Sequence, residues 1–121
     1  MTKEITKEQR IRKEYNRVNK IIKEEMTESR FKALQPLAHR VAFLRISIED
    51  MELDLLENGF VEMFSQSPST PPYERERPTA KQYSTALKNY QSLCKQLTDN
   101  FEQKTNAGLI DDGFQSFLEG N

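Results

Sequence analysis

The sequence LQPLAHRVAFLRISIEDMELDLL, residues 34–56, decides the fold. Seven apolar residues recur in it at alternating spacings of three and four: Leu34, Leu37, Val41, Leu44, Ile48, Met51 and Leu55. This is the spacing of an apolar seam on a helix that packs lengthwise against another helix. At about 1.5 Å per residue, the predicted helix is about 34 Å long.

A second apolar stripe lies about 140° round the same helix, at about 100° per residue. Its members are Ala38, Ala42, Ile46, Leu53 and Leu56. A helix with two apolar stripes must be covered on two sides, and the rest of so short a chain covers a long helix poorly. We therefore expect a second helix of the same chain on one stripe, and either the N-terminal helix or a neighbouring subunit on the other.

The flanking sequence predicts further helices. Thr6 and Gln9 form a capping box that opens a helix over 6–26, and Thr27 can begin the next one. Pro36 then indicates either a short turn to Gln35 before the long helix or one kinked helix. The pair Asn58-Gly59 suits the C-cap of the long helix.

A matching seam follows later in the chain. A capping box of Thr79 and Gln82 after Pro78 opens a helix whose apolar residues are Tyr83, Leu87, Tyr90, Cys94, Leu97 and Phe101. Two such seams predict an antiparallel helical hairpin crossing at about 20°. Residues 58–77, broken by three prolines, are expected to form an ordered but irregular connection.

These patterns predict an all-α fold with three regions. Residues 1–26 form a basic amphipathic helix, residues 27–104 form the helical-hairpin oligomerisation core with its proline-rich connection 58–78, and residues 105–121 form a tail. The tail carries Leu109, Ile110, Phe114, Phe117 and Leu118 among acids. It either forms a helical turn or two on a partner or frays.

Charge is distributed unevenly along the chain. The net charge is −1, yet residues 1–23 hold eight basic and three acidic residues, and the remainder holds ten basic and sixteen acidic ones. The candidate nucleic-acid-binding residues are Lys3, Lys7, Arg10, Arg12, Lys13, Arg17, Lys20 and Lys23. Four of them, Arg10, Lys13, Arg17 and Lys20, form a ridge away from the apolar side of the helix. This ridge either contacts phosphates or is an ordinary solvated face.

Acidic residues crowd the end of the long helix, where they oppose the helix dipole. No Lys or Arg occurs between Ile46 and Glu74, so we expect Arg75, Arg77 or Lys81, of the same or an adjacent subunit, to offset them. The predicted oligomer interface combines these cations with the second stripe. It consists of Ala42, Ile46, Leu53, Leu56, Arg75 and Arg77.

The sequence carries no signature of catalysis. It has no phosphate-binding glycine loop, hydrolase motif or Cys/His cluster, so we expect no catalytic residue, metal or cofactor. His39 is interpreted as a surface or boundary residue and Cys94 as core packing. No apolar run is long enough for a membrane span, and the chain reads as cytosolic.

The sequence resembles a known family over about residues 37–98. The matching residues are Asn58-Gly59, the run PPYERERP at 71–78, Tyr83, Lys88-Asn89-Tyr90 and Lys95-Gln96-Leu97, preceded by Ala42 to Arg45 and by Glu49, Asp50 and Glu52. Together they resemble small subunits of tailed-bacteriophage terminases. The basic N-terminal helix and the tail lie outside this likeness.

The resemblance implies an all-helical protein that assembles into a ring, binds double-stranded viral DNA at the start of genome packaging, and recruits the ATPase and nuclease large subunit. It implies a location in the cytoplasm of the infected bacterium and no catalytic residues of its own. DNA contact by residues 1–26 and large-subunit contact by 105–121 follow from charge and amphipathicity alone. The alternative from the residues is a purely structural helical-hairpin oligomer without DNA binding.

Overall fold

The computed structural model describes residues 4–101. Its elements are α1 (Lys7–Glu25), α2 (Glu28–Ala33), α3 (Gln35–Asn58), β1 (Val61–Phe64), β2 (Tyr73–Glu76) and α4 (Pro78–Thr98). Helices make up 71% of the described residues. The predicted helical class is therefore confirmed, with one small sheet that the sequence patterns did not predict.

The first two helices begin where side chains can cap them. The Thr6 side chain accepts a hydrogen bond of 3.1 Å from the Gln9 N–H, and the Gln9 side chain accepts one of 2.9 Å from the Thr6 N–H. The predicted capping box is thus confirmed. Thr27 caps α2 in the same way, accepting from the Arg30 N–H at 3.2 Å.

The short helix α2 ends just before the long helix α3 begins, and α3 ends at a glycine. Pro36 lies in the first turn of α3, where its missing N–H costs no helical bond. A short helix followed by a separate long one is therefore the correct alternative. Gly59 has φ 81° and donates to the Leu55 carbonyl at 2.8 Å, which confirms the predicted C-cap.

The irregular connection predicted for 58–77 is wrong in part, because it contains a β-hairpin. β1 and β2 pair antiparallel, with Val61 opposite Glu76 and Phe64 opposite Tyr73. The three prolines fall outside both strands, so they do not prevent strand pairing. Apolar and charged residues alternate only over Val61, Glu62 and Met63 in β1, and β2 consists of one tyrosine and three charged residues. Neither strand of four residues stands out from a loop.

The last long helix starts earlier than the capping box of Thr79 and Gln82 indicated. α4 begins at Pro78, whose ring presets the helical φ, and its N-cap residue Arg77 makes no side-chain cap bond. The predicted Thr79–Gln82 box is therefore wrong.

α3 is the central helix, and both α1 and α4 pack on it. Both run antiparallel to α3: Arg10 of α1 pairs with Asp50 and Tyr15 contacts His39, whereas Tyr83 of α4 bonds to Glu52. The largest fully buried side chains are Val18, Ile22, Val41, Cys94 and Leu97. Burial of each large aliphatic side chain contributes about 1.5–3 kcal/mol.

The second side of α3 was expected to be covered either by the N-terminal helix or by a neighbouring subunit. The N-terminal helix, α1, covers it. Ala42 is fully buried and Ile46 is 6% exposed within this single chain. Both were predicted at the oligomer interface, and neither is accessible to another subunit. Up to Asp50, which pairs with Arg10 near the start of α1, most apolar residues of α3 are covered internally, whereas Phe43 is 48% exposed.

Candidate nucleic-acid interface

The eight basic residues predicted to bind nucleic acid have different surroundings. Lys3 lies outside the described residues. Lys7, Arg10 and Arg17 bind carboxylates of the same chain. Only the remaining four are exposed side chains for which no carboxylate partner is seen among residues 4–101: Arg12, Lys13, Lys20 and Lys23.

Arg10 is held by two acids of α3. Its Nη1 donates to Asp50 Oδ1 at 2.7 Å and its Nη2 to Glu49 Oε1 at 3.3 Å, while Lys7 Nζ lies 3.6 Å from Asp50 Oδ2. The hydrogen bond from Arg10 lowers the pKa of Asp50 below its ordinary value. Arg10 thus offsets Glu49 and Asp50, a contribution that the sequence interpretation, which named Arg75, Arg77 and Lys81, did not include.

Arg17 takes part in a partly buried network of ion pairs between α1 and α3. Its guanidinium donates to both carboxylate oxygens of Glu14, at 2.9 and 2.7 Å, and Arg45 Nε of α3 lies 3.5 Å from Glu14 Oε2. Glu14 is only 8% exposed. Two cations around one buried carboxylate compensate for the loss of its hydration. Arg17 therefore has a structural role as the ion-pair partner of Glu14.

The predicted ridge combined Arg10, Lys13, Arg17 and Lys20. Because Arg10 and Arg17 bind carboxylates of the same chain, a different set of cations is available at the surface. Arg12, Lys13, Lys20 and Lys23, which we call the basic strip, fall within an arc of about 100° on α1 at about 100° per residue. The exposed Asn16 lies within this arc. The strip is about 16 Å long at about 1.5 Å per residue.

The basic strip has the chemistry of a phosphate-binding surface. Its cations project from one rigid, capped helix whose opposite side is anchored by Val18 and Ile22. Lysine and arginine side chains at such spacing can contact successive phosphates along a nucleic-acid backbone, which positions a protein without reading sequence. No base-reading residue is assigned.

The predicted interface cations are bound within the chain at the hairpin. Arg75 Nε donates to Glu62 Oε2 at 2.7 Å and lies 3.5 Å from the centroid of the Phe64 ring. Arg77 binds Asp54 and the Gly59 carbonyl. The expected cation at the end of α3 is therefore Arg77 of the same chain, and neither arginine needs a neighbouring subunit as its partner.

Exposed apolar side chains gather at the hairpin end of the molecule. Leu56 is 82% exposed and Met63 is 67% exposed. The group, which we call the hairpin patch, consists of Leu53, Leu56, Phe60, Val61 and Met63. Of the predicted interface, Leu53 and Leu56 remain accessible. Phe60, Val61 and Met63, which the predicted interface did not include, are exposed as well.

Neither His39 nor Cys94 belongs to a metal cluster among residues 4–101. His39 lies edge-on to Tyr15, with ring centroids 5.5 Å apart. Cys94 is fully buried, and desolvation raises the pKa of its thiol to about 11. Desolvation likewise raises the pKa of the neighbouring Tyr90 to about 12.

The comparisons with known proteins give no relative. Within the described range 4–101, no helix is long and apolar enough to span a bilayer. No protein-family model matches the chain. No curated protein and no solved structure matches it either, so the site is characterised by its own geometry.

Proposed function

We propose that this chain is the small subunit of a phage terminase, a non-catalytic adaptor that binds viral DNA and recruits the large ATPase and nuclease subunit. The basic strip is the observation that carries the proposal. Four cations with no carboxylate partner among residues 4–101 lie on one side of a helix whose other side is packed. The sequence resemblance over about residues 37–98 supplies the genome-packaging context.

Assembly makes this weakly basic surface effective. One strip offers four charges, and the chain as a whole has a net charge of −1, so a lone subunit binds DNA poorly. Several copies arranged in a ring present many strips at high effective concentration. The hairpin patch is the apolar surface available for a head-to-tail contact, which closes into a ring when the rotation allows.

The remaining parts of the proposal rest on sequence alone. The tail 105–121, which lies outside the described residues, supplies apolar and acidic side chains for contact with the large subunit. The complex acts in the cytoplasm of the infected bacterium, where the viral genome is packaged.

DNA binding by the full chain at several salt concentrations tests the proposal. The logarithm of the affinity should fall linearly with the logarithm of salt concentration. Replacement of Arg12, Lys13, Lys20 and Lys23 by Gln should reduce the slope by up to about 3.6 per bound chain, at about 0.9 per phosphate contact. The matched control replaces four other exposed lysines by Gln: Lys32, Lys81, Lys88 and Lys95.

Equal effects of the two variants, or no DNA binding by the assembled protein, would contradict DNA contact by α1. A second measurement tests the packaging role: the DNA-stimulated ATPase of the large subunit from the same viral genome should rise when the full chain is added. DNA binding without this stimulation would leave a DNA-binding protein outside the packaging motor.

The structural oligomer without DNA binding remains the second candidate. It is favoured by Arg10 and Arg17, because both cations are neutralised by carboxylates of the same chain. In that case the basic strip only keeps the assembly soluble. Assembly that depends on the hairpin patch, together with salt-insensitive or absent DNA binding, would establish this candidate.

A further inference from the structure

An apolar groove runs between α1 and α3 beside the basic strip. It is lined by Ile11, Tyr15, His39 and Phe43, together with the polar side chains of Glu8, Arg12 and Asn16. The groove encloses about 540 Å³, and the ring of Phe43 is 48% exposed. Its size is that of a site for a few large apolar side chains.

The chain itself supplies a segment with matching chemistry. Residues 102–121 contain Phe114, Phe117 and Leu118, spaced three and one apart, which is the anchor pattern of a short segment that lies in a groove. The same residues carry four acids and one lysine, a net charge of −3. The basic strip next to the groove carries four positive charges, so the two surfaces are complementary.

The segment also starts within reach of the groove. Phe101 packs against the core cluster that includes Met26, and Arg30 donates to the Asn100 carbonyl at 3.1 Å, so α4 ends beside the C-terminal end of α1. Thirteen residues from Phe101 to Phe114 can span up to about 43 Å. The distance along α1 from Met26 to Arg12 is about 21 Å, which leaves enough chain to cross the basic strip.

We propose that the C-terminal segment 102–121 docks on its own chain, with Phe114, Phe117 and Leu118 in the α1/α3 groove and Asp111 and Asp112 on the basic strip. The apolar anchors are withdrawn from water, and the acids neutralise Arg12 and its neighbours. The docked segment occupies the cations that would otherwise contact phosphates. It is therefore a built-in competitor for polyanions.

Paramagnetic relaxation in the full chain tests this docking directly. A nitroxide is attached to the variant Ser116→Cys, while the native Cys94 is fully buried and stays unlabelled. The amide signals of residues 8–16 and 39–43 should lose most of their intensity. The amides of residues 81–88 on α4 should be unaffected. Unchanged signals along the groove would overturn the proposal.

Mixing separates a contact within one chain from a contact between chains. Spin-labelled protein without ¹⁵N is mixed with ¹⁵N protein without the label, and docking within one chain predicts no broadening in this sample. Broadening that occurs only in the mixed sample would overturn the assignment to the same chain. These outcomes do not depend on DNA binding.

Charge variants define the contact further. Arg12→Glu with Lys20→Glu should restore most of the lost intensity along the groove, because like charges then face Asp111 and Asp112. The matched control Lys81→Glu with Lys88→Glu makes the same charge change on α4 and should restore nothing. Equal recovery with both variants would contradict docking on the basic strip.

Discussion

Arg77 Nη2 lies 3.0 Å from both carboxylate oxygens of Asp54, although 23 residues separate the two in sequence. Arg77 Nη1 also donates to the Gly59 carbonyl at 2.8 Å. Arg77, the residue before α4, thus bonds both to the end of α3 and to the glycine that terminates this helix. This contact closes the β-hairpin at its base and compensates part of the acidic helix end.

Replacement of Arg77 by Ala should lower the melting temperature of the full chain by several degrees, because it leaves the end of α3 without its cation. Amide hydrogens of β1 and β2 should exchange faster with solvent. Arg75→Ala is the matched control, because both partners of Arg75, Glu62 and Phe64, belong to β1 and not to the end of α3. Equal melting temperatures for the Arg77→Ala variant and the unchanged protein would contradict this role.

The hairpin patch should control assembly. The double variant Val61→Lys with Met63→Lys is expected to reduce the mass of the full chain in solution without loss of helical circular dichroism, because both side chains are exposed and the new cations face Glu76 and Glu74 across the strand pair. Ser84→Lys with Thr85→Lys adds the same charge at exposed positions of α4 and should leave the mass unchanged. A well-folded monomer of the unchanged chain at high concentration would contradict assembly altogether.

Ile46→Glu should behave differently from the hairpin variants. Ile46 is buried between helices of one chain, so a carboxylate there loses its hydration and destabilises the monomer. We expect loss of cooperative unfolding in chemical denaturation rather than smaller folded species. A stable, folded Ile46→Glu variant of reduced mass would instead place this residue at a subunit contact.

Asp50 should limit how strongly α1 binds polyanions. Asp50→Asn removes the main partner of Arg10 and Lys7, so at least one more cation becomes available for phosphate. The salt slope of DNA binding is expected to steepen by about 0.9 for each added contact. Asp99→Asn, which releases Lys95 on α4, is the matched control and should leave the slope unchanged.

Stability should fall at alkaline pH because of Cys94. The folded-state pKa of its thiol is raised to about 11 from 9.0, so the stabilisation is complete below pH 9 and is lost as pH rises towards 11. Denaturant titrations of Cys94→Ala should therefore show a smaller decline between these pH values. Tyr90→Phe should remove the part of the decline between pH 10 and about 12. Identical pH profiles for all three proteins would contradict the shifts.

Local patterns predicted the helices well. The capping box of Thr6 and Gln9, the start at Thr27 and the stop at Gly59 are determined by residues within four positions of one another, so they can be recognised before the fold is known. The Thr79–Gln82 box was wrong because α4 already begins at Pro78, whose ring presets the helical φ. The hairpin was missed because each strand has only four residues.

The site was less predictable than the helices. The sequence identified α1 as the basic element, and seven of the eight candidate cations lie on it. It could not show that Arg10 meets Asp50 across 40 residues, or that Arg17 is fixed by the buried Glu14. These pairings separate the cations that hold the fold together from those that remain on the surface.

The sequence by itself determined where the helices lie, which side of each is apolar, and which end of the chain is basic, because these properties depend on the spacing of neighbouring residues. The tertiary structure alone decided that α1 covers α3, that Ala42 and Ile46 are internal, and that the available cations form the basic strip. Packing and ion pairing join residues far apart in the chain, and no local spacing specifies which of several acids a given arginine will meet.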